Sequence, residues 1–124
     1  MTPRTAAVLF ALAALSGGCK KDQAPHSAAD DAATAQQLFA NRCAPCHGAG
    51  GAGDGVAAGG LVPRPRDLSD PAWQSSVTDE QIEKIVVFGG LAVGKSPAMP
   101  PSPDLDGKEG VVRALRALLR GLKK

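Results

Sequence analysis

An all-α domain is predicted: three helices joined by two long loops. Three observations predict it. The first is the pentapeptide Cys43-Ala44-Pro45-Cys46-His47. The second is a set of three stretches with apolar residues at helical spacing, each opened by a capping signal. The third is a pair of glycine- and proline-rich segments too long and too irregular to stand in a small domain without a function.

The pentapeptide is the C-x-x-C-H pattern of covalent haem attachment. Two thiols three positions apart each add to a vinyl group on one haem edge, and the next residue places an imidazole under the iron. Cys43 and Cys46 are the tethers and His47 the proximal ligand. Zinc sites and thiol–disulfide centres also use paired cysteines. A zinc site built this way needs a second ligand pair, and the chain holds only one other cysteine, Cys19, and one other histidine, His26. A thioredoxin-like centre calls for β-α-β patterning, which is absent around the motif.

The chain has 124 residues, enough for one small domain. Aromatic side chains are few: Phe10, Phe39, Trp73 and Phe88. A domain this small buries a modest core, and a porphyrin supplies the apolar volume that large rings usually fill. A formal net charge of +2 gives no case for nucleic-acid binding.

Residues 1–18 read as a secretory signal peptide. Arg4 and the amino terminus are positive, Ala6 to Leu15 are apolar, and Ser16-Gly17-Gly18 are small. The apolar run is too short to span a bilayer. Leu15-Ser16-Gly17-Gly18-Cys19 resembles a bacterial lipobox shifted by one position, which makes Cys19 a candidate lipidated amino terminus. The alternative is ordinary signal-peptidase cleavage, leaving Cys19 removed or free. Two cysteines on haem leave one that needs a use, and this favours lipidation. Residues 19–30 then form the lipidated terminus and a polar tether. His26 lies in it, where no fixed metal geometry is expected. The folded domain is assigned to residues 31–124.

The first helix is expected from about Asp31 to Arg42, with Asp30, Asp31 or Thr34 as cap and Thr34–Gln37 at capping-box spacing. It delivers the chain into Cys43. From Gly48 to Gly60 there are seven glycines in thirteen residues, followed by Pro63, Pro65 and Pro71. No regular period is expected before Thr78. Glycines let backbone approach a porphyrin edge, while Leu61, Val62, Leu68 and Trp73 are apolar enough to be buried. The second helix starts at Thr78, with Gln81 completing a capping box and Val77–Ile82 forming a hydrophobic staple. Its buried face is Ile82, Ile85 and Val86, and Gly89-Gly90 ends it through an αL cap.

The loop from Leu91 to Pro103 carries Met99 between Pro97 and Pro100. A thioether suits haem iron and raises its potential. The competing role is a gap-filling core methionine. With a haem site upstream and no better sixth ligand, ligation is favoured. The third helix is expected from about Gly107 to Gly121, capped by Asp106 and Glu109. Val111, Val112, Leu115, Leu118, Leu119 and Leu122 lie inward, and Arg113, Arg116 and Arg120 form a solvated face. Membrane contact is the alternative for such a helix.

Taken together, the chain resembles a small mono-haem class I c-type cytochrome over roughly Asp31 to Leu122. The matching residues are Leu38-Phe39, Cys43-Ala44-Pro45-Cys46-His47-Gly48, Gly53-Asp54-Gly55, Pro65-Arg66-Asp67-Leu68, Trp73 and Gly94-Lys95-Ser96-Pro97-Ala98-Met99-Pro100. The resemblance implies an all-α class I fold in which the first and last helices cross, bringing Phe39 to Leu115 and Leu119. It also implies one haem c with His47 and Met99 as axial ligands. A backbone carbonyl near Pro63 would accept from the imidazole, Trp73 would donate to a haem propionate, and Arg64 or Arg66 would pair with one. The implied function is a one-electron carrier on the periplasmic side of a bacterial membrane. Its partners would be a redox donor and acceptor, without a small-molecule substrate. The alternatives are a peroxidase-like or sensor haem domain with an open iron site, a small cytochrome subunit of a larger oxidoreductase, and a haem-free thiol–disulfide protein.

Overall fold

The computed structural model describes residues 26–124. The signal peptide 1–18, Cys19 and the tether up to Pro25 lie outside the described residues. Five α-helical segments run in the order α1 (Ala28–Leu38), α2 (Ala44–His47), α3 (Pro71–Ser76), α4 (Asp79–Phe88) and α5 (Glu109–Arg120), with no strand among the described residues. The all-α expectation holds.

Helix α1 begins three residues before the expected start, because Ser27 outcompetes Thr34 as the cap. The Ser27 hydroxyl accepts from the Asp30 N–H at 3.2 Å, and the Asp30 carboxylate accepts from the Ser27 N–H at 3.2 Å. This reciprocal pair satisfies two of the donors that a helix start leaves orphaned. Helix α1 therefore includes Ala28, Ala29 and Asp30, which the sequence alone places in the tether. At its other end α1 widens into a π-helical turn, Phe39–Cys43, and leads into α2 without a break. Such turns are rare and occur at functional positions.

Helices α1 and α5 pack against each other, as the resemblance implies. Ala35 of α1 and Phe39 of the π-helical turn that continues it join Val111, Val112, Leu115 and Leu119 of α5 in one cluster with Leu68, Ile82, Val87 and Leu105. Leu115 is 2% exposed, and burying such a side chain contributes about 1.5–3 kcal/mol. The close approach depends on Gly110, where a Cβ would land on the Asp31 carboxylate. Gly110 thus stands inside α5 for steric reasons. Gly107 does not: its φ of 77° excludes it from the helix, which starts at Glu109 with no side-chain cap. The expected Asp106–Glu109 capping box is absent.

The stretch between the first loop and Thr78 holds a helix that periodicity did not predict. Asp70 caps α3, its carboxylate accepting from the Ala72 N–H at 2.9 Å, and Pro71 occupies the first helical position. Asp-Pro is itself a helix-start signal, but six residues are too few to show a period. Helix α4 follows its prediction closely: the Thr78–Gln81 capping box is present in both directions. Ile82 and Val87 are its buried residues, with Ile85 and Val86 half-buried. Its last cap, Gly89, has positive φ (76°) but an extended ψ of 176°, not the expected αL geometry.

The arginine face of α5 is not simply solvated. Arg116 pairs with Glu83 at 2.9 Å and Asp79 at 3.3 Å, and Arg120 pairs with Asp79 at 2.8 Å. Acidic residues placed at the positive start of α4 therefore also hold α5. Arg113 remains exposed. Among the described residues, no helix is long and apolar enough to cross a membrane.

Candidate haem attachment site

Cys43 closes the π-helical turn, and Cys46 and His47 lie in α2. One continuous helical path thus carries both thiols and the imidazole, which is the placement that two thioethers and a ligand from one turn require. Both thiols are free and half-buried. Burial pushes the Cys43 thiol up, favouring its neutral form, and the adjacent Arg42 guanidinium opposes this.

The glycine-rich loop is ordered by the motif itself. A four-residue helix leaves its carbonyls without intrahelical partners, and the returning loop supplies donors to them. Gly53 N–H donates to the His47 carbonyl at 2.8 Å, Gly55 N–H to Cys46 at 3.2 Å and Ala57 N–H to Pro45 at 2.8 Å. This close approach needs Gly55, where a Cβ would collide with the Pro45 carbonyl oxygen. The loop wraps the attachment turn, and three backbone hydrogen bonds hold it there.

His47 Nδ1 lies 2.9 Å from the carbonyl oxygen of Arg66. A carbonyl only accepts, so Nδ1 carries the proton and the lone pair is on Nε2. An imidazole anchored through Nδ1–H and free at Nε2 is the usual arrangement of a metal-ligating histidine. The expected carbonyl near Pro63 is corrected: Arg66 supplies it. Pro63 and Arg64 are exposed, and the Arg66 side chain is exposed while its backbone serves the imidazole.

Met99 is held in a different part of the chain. Its carbonyl accepts from Gly90 N–H at 2.9 Å, Lys95 N–H donates back to Gly90 at 2.8 Å, and Ser102 N–H donates to Val87 at 2.8 Å. The loop is thereby closed onto the end of α4, with Met99 half-buried. An ion pair links this half to the attachment turn: Arg42, next to Cys43, donates to Asp104 at 2.8 Å. That contact holds the Asp104 carboxyl below its ordinary range. Trp73, on α3, is half-buried and packs against the core cluster. The structure therefore brings together Cys43, Cys46, His47 and the Arg66 carbonyl, and anchors Met99 and Trp73 on separate elements.

This donor set fits a c-type haem: two free thiols, one oriented imidazole and a loop that wraps the attachment turn. Among the described residues, no cluster of three or more histidine, cysteine or acidic side chains suits a bare metal ion.

A model of the cytochrome c family matches residues 32–120. The chain belongs to the cytochrome c family. Among solved structures, this cytochrome is similar to the KustC0563 c-type cytochrome, at 28% identity and a TM-score of 0.53. The match covers 73% of this chain and 98% of that one. No curated protein matches this cytochrome. As a small class I c-type cytochrome it is a haem-based electron-transfer protein, and its counterparts are other redox proteins. Cys43 and Cys46 have the spacing that covalent haem c requires.

Proposed function

We propose that this cytochrome is a one-electron carrier with a single haem c, ligated by His47 and Met99, working on the periplasmic side of a bacterial membrane. The observation that carries the proposal is the oriented imidazole: His47 Nδ1–H is fixed on the Arg66 carbonyl, and Nε2 is left for iron. The haem, once bound, supplies ferric–ferrous chemistry that needs no change of ligand. The residues do the rest. Cys43 and Cys46 tether the group, and the Gly48–Gly60 loop braces the turn that holds them. The closed, proline-flanked loop presents the Met99 thioether with little freedom left to lose. Trp73 is the candidate donor to a propionate, with Arg64 and Arg66 as its counter-charges.

Partner encounter is not strongly steered by a chain with a net charge of +2. Lipidation of Cys19 would confine the carrier to the membrane surface and raise its local concentration. The shifted lipobox and the third cysteine support that anchor. The test is Cys19→Ser, which moves the protein from the membrane to the soluble periplasmic fraction with its haem content unchanged. A wild-type protein already soluble after export contradicts the anchor.

The carrier is separated from an open-site enzyme or sensor by adding carbon monoxide to the reduced protein. A filled sixth position predicts an unchanged visible spectrum and a redox titration with one electron per chain. Rapid formation of a carbon monoxide complex by the wild-type protein contradicts the carrier and favours the open-site alternative.

A further inference from the structure

Gln74 is a polar side chain in an apolar core, 6% exposed, with every hydrogen-bonding group of its amide used. Nε2 donates to the Leu68 carbonyl at 2.7 Å and to the Leu119 carbonyl at 2.8 Å. Oε1 accepts from Arg120 Nη1 at 2.9 Å. The amide has only one workable orientation, since carbonyls only accept and a guanidinium only donates. Arg120 is equally committed. Its Nη1 also donates to the Gln74 carbonyl at 2.7 Å, its Nη2 to the Val77 carbonyl and Asp79 at 2.8 Å, and its Nε to Asp79 at 2.9 Å. A hydrophobic side chain of similar size would fill the same space without this network.

The network grips the segment that serves the proximal imidazole. Leu68, held by Gln74, is two residues from Arg66, whose carbonyl receives His47 Nδ1–H. The chain between them is stiff. The Asp67 carboxylate accepts from the Ser69 N–H at 2.8 Å and its hydroxyl at 2.6 Å, and the Leu68 N–H donates to Gly51 at 2.6 Å. The Leu68 and Arg66 carbonyls thus belong to one short, braced segment.

We infer that Gln74 and Arg120 are positioning residues for the proximal ligand, holding the Arg66 carbonyl against His47 and so setting how strongly that imidazole donates to iron. The inference rests on His47 being the proximal ligand. A firm Nδ1–H bond to a carbonyl raises imidazole basicity, which favours ferric iron and lowers the potential. The bond weakens steeply with misalignment, so a small drift of the Arg66 carbonyl raises the potential.

The test uses the holoprotein and the variants Gln74→Leu and Arg120→Gln. Arg120 is 30% exposed in its side chain, so its replacement loosens the network from outside and leaves the core packed. Two quantities are read: the reduction potential, and the proton resonance of His47 Nδ1–H in the ferrous protein. Gln74→Leu is expected to raise the reduction constant up to about tenfold, about 59 mV for a one-electron couple. Its Nδ1–H exchanges with solvent several-fold faster. Arg120→Gln moves both quantities in the same direction by less. The inference is overturned if the haem-loaded variants melt at lower temperature yet keep the wild-type potential and Nδ1–H signal. Should Gln74→Leu yield no holoprotein, Arg120→Gln alone decides by the same two readings. A wild-type protein without covalent haem would overturn the proximal-ligand assignment instead, and that result precedes any comparison of variants.

Discussion

His47→Ala abolishes stable haem incorporation. In the proposed site the imidazole does two things at once: Nε2 would be the donor for iron, and Nδ1–H is bonded to the Arg66 carbonyl at 2.9 Å. Alanine removes both. The lost hydrogen bond alone costs on the order of 1 kcal/mol, and the lost ligand costs the site its anchor. The haem-stained band of the exported protein after denaturing electrophoresis is expected to fall to background. Cys43→Ser, by contrast, leaves one thioether at most through Cys46. A normal-intensity band from the His47 variant would remove the pentapeptide from its assigned role.

Met99→Ala has the next largest expected effect, and a different one. His47, Cys43 and Cys46 remain, so the haem stays bound. The thioether–iron charge-transfer band of the oxidised protein disappears. The potential falls by on the order of 0.1 V or more, within the ~0.8 V range that axial ligands span, because a thioether favours ferrous iron and water or hydroxide favours ferric. Cyanide or azide then binds readily. Stability is expected to drop as well, since the proposed iron–sulfur bond would pin a loop that otherwise rests on backbone hydrogen bonds such as Gly90 to Met99 and Ser102 to Val87. A variant that keeps both its charge-transfer band and its potential would make Met99 a core residue, with His26 as the remaining histidine candidate. His26 is exposed, just before Ser27 and the start of α1.

What could be foreseen from sequence depended on whether side chains carried the information. The attachment motif and the Thr78–Gln81 capping box are written in side-chain types at fixed spacing, and they appear where expected. The Phe39–Leu115–Leu119 packing was implied by the family resemblance, and the three residues share one core cluster. The partner of His47 is a backbone carbonyl. Every residue has one, so no residue type marks Arg66 over Pro63. Helix α3 is shorter than two turns and offers no period to detect, although Asp70-Pro71 names its start. The first helix starts earlier than predicted because Ser27–Asp30 and Thr34–Gln37 both satisfy the capping-box pattern, and only packing chooses between them. Gly107 and Gly110 read alike in sequence. One makes a positive-φ turn, and the other admits Asp31 of a helix far away in the chain. The Gln74–Arg120 network was also illegible, because these two residues are 46 positions apart and most of the acceptors they use are backbone carbonyls.

The central claim is one haem joined to Cys43 and Cys46, and peptide mass measures it most directly. Trypsin cuts after Arg42 and after Arg66, while Arg64 is protected by Pro65. The peptide Cys43–Arg66 from the exported, denatured protein is predicted to carry the mass of one haem. That increment should persist through denaturation, and no other peptide should bear it. An unmodified peptide, or one whose two cysteines are joined as a disulfide, would contradict the account.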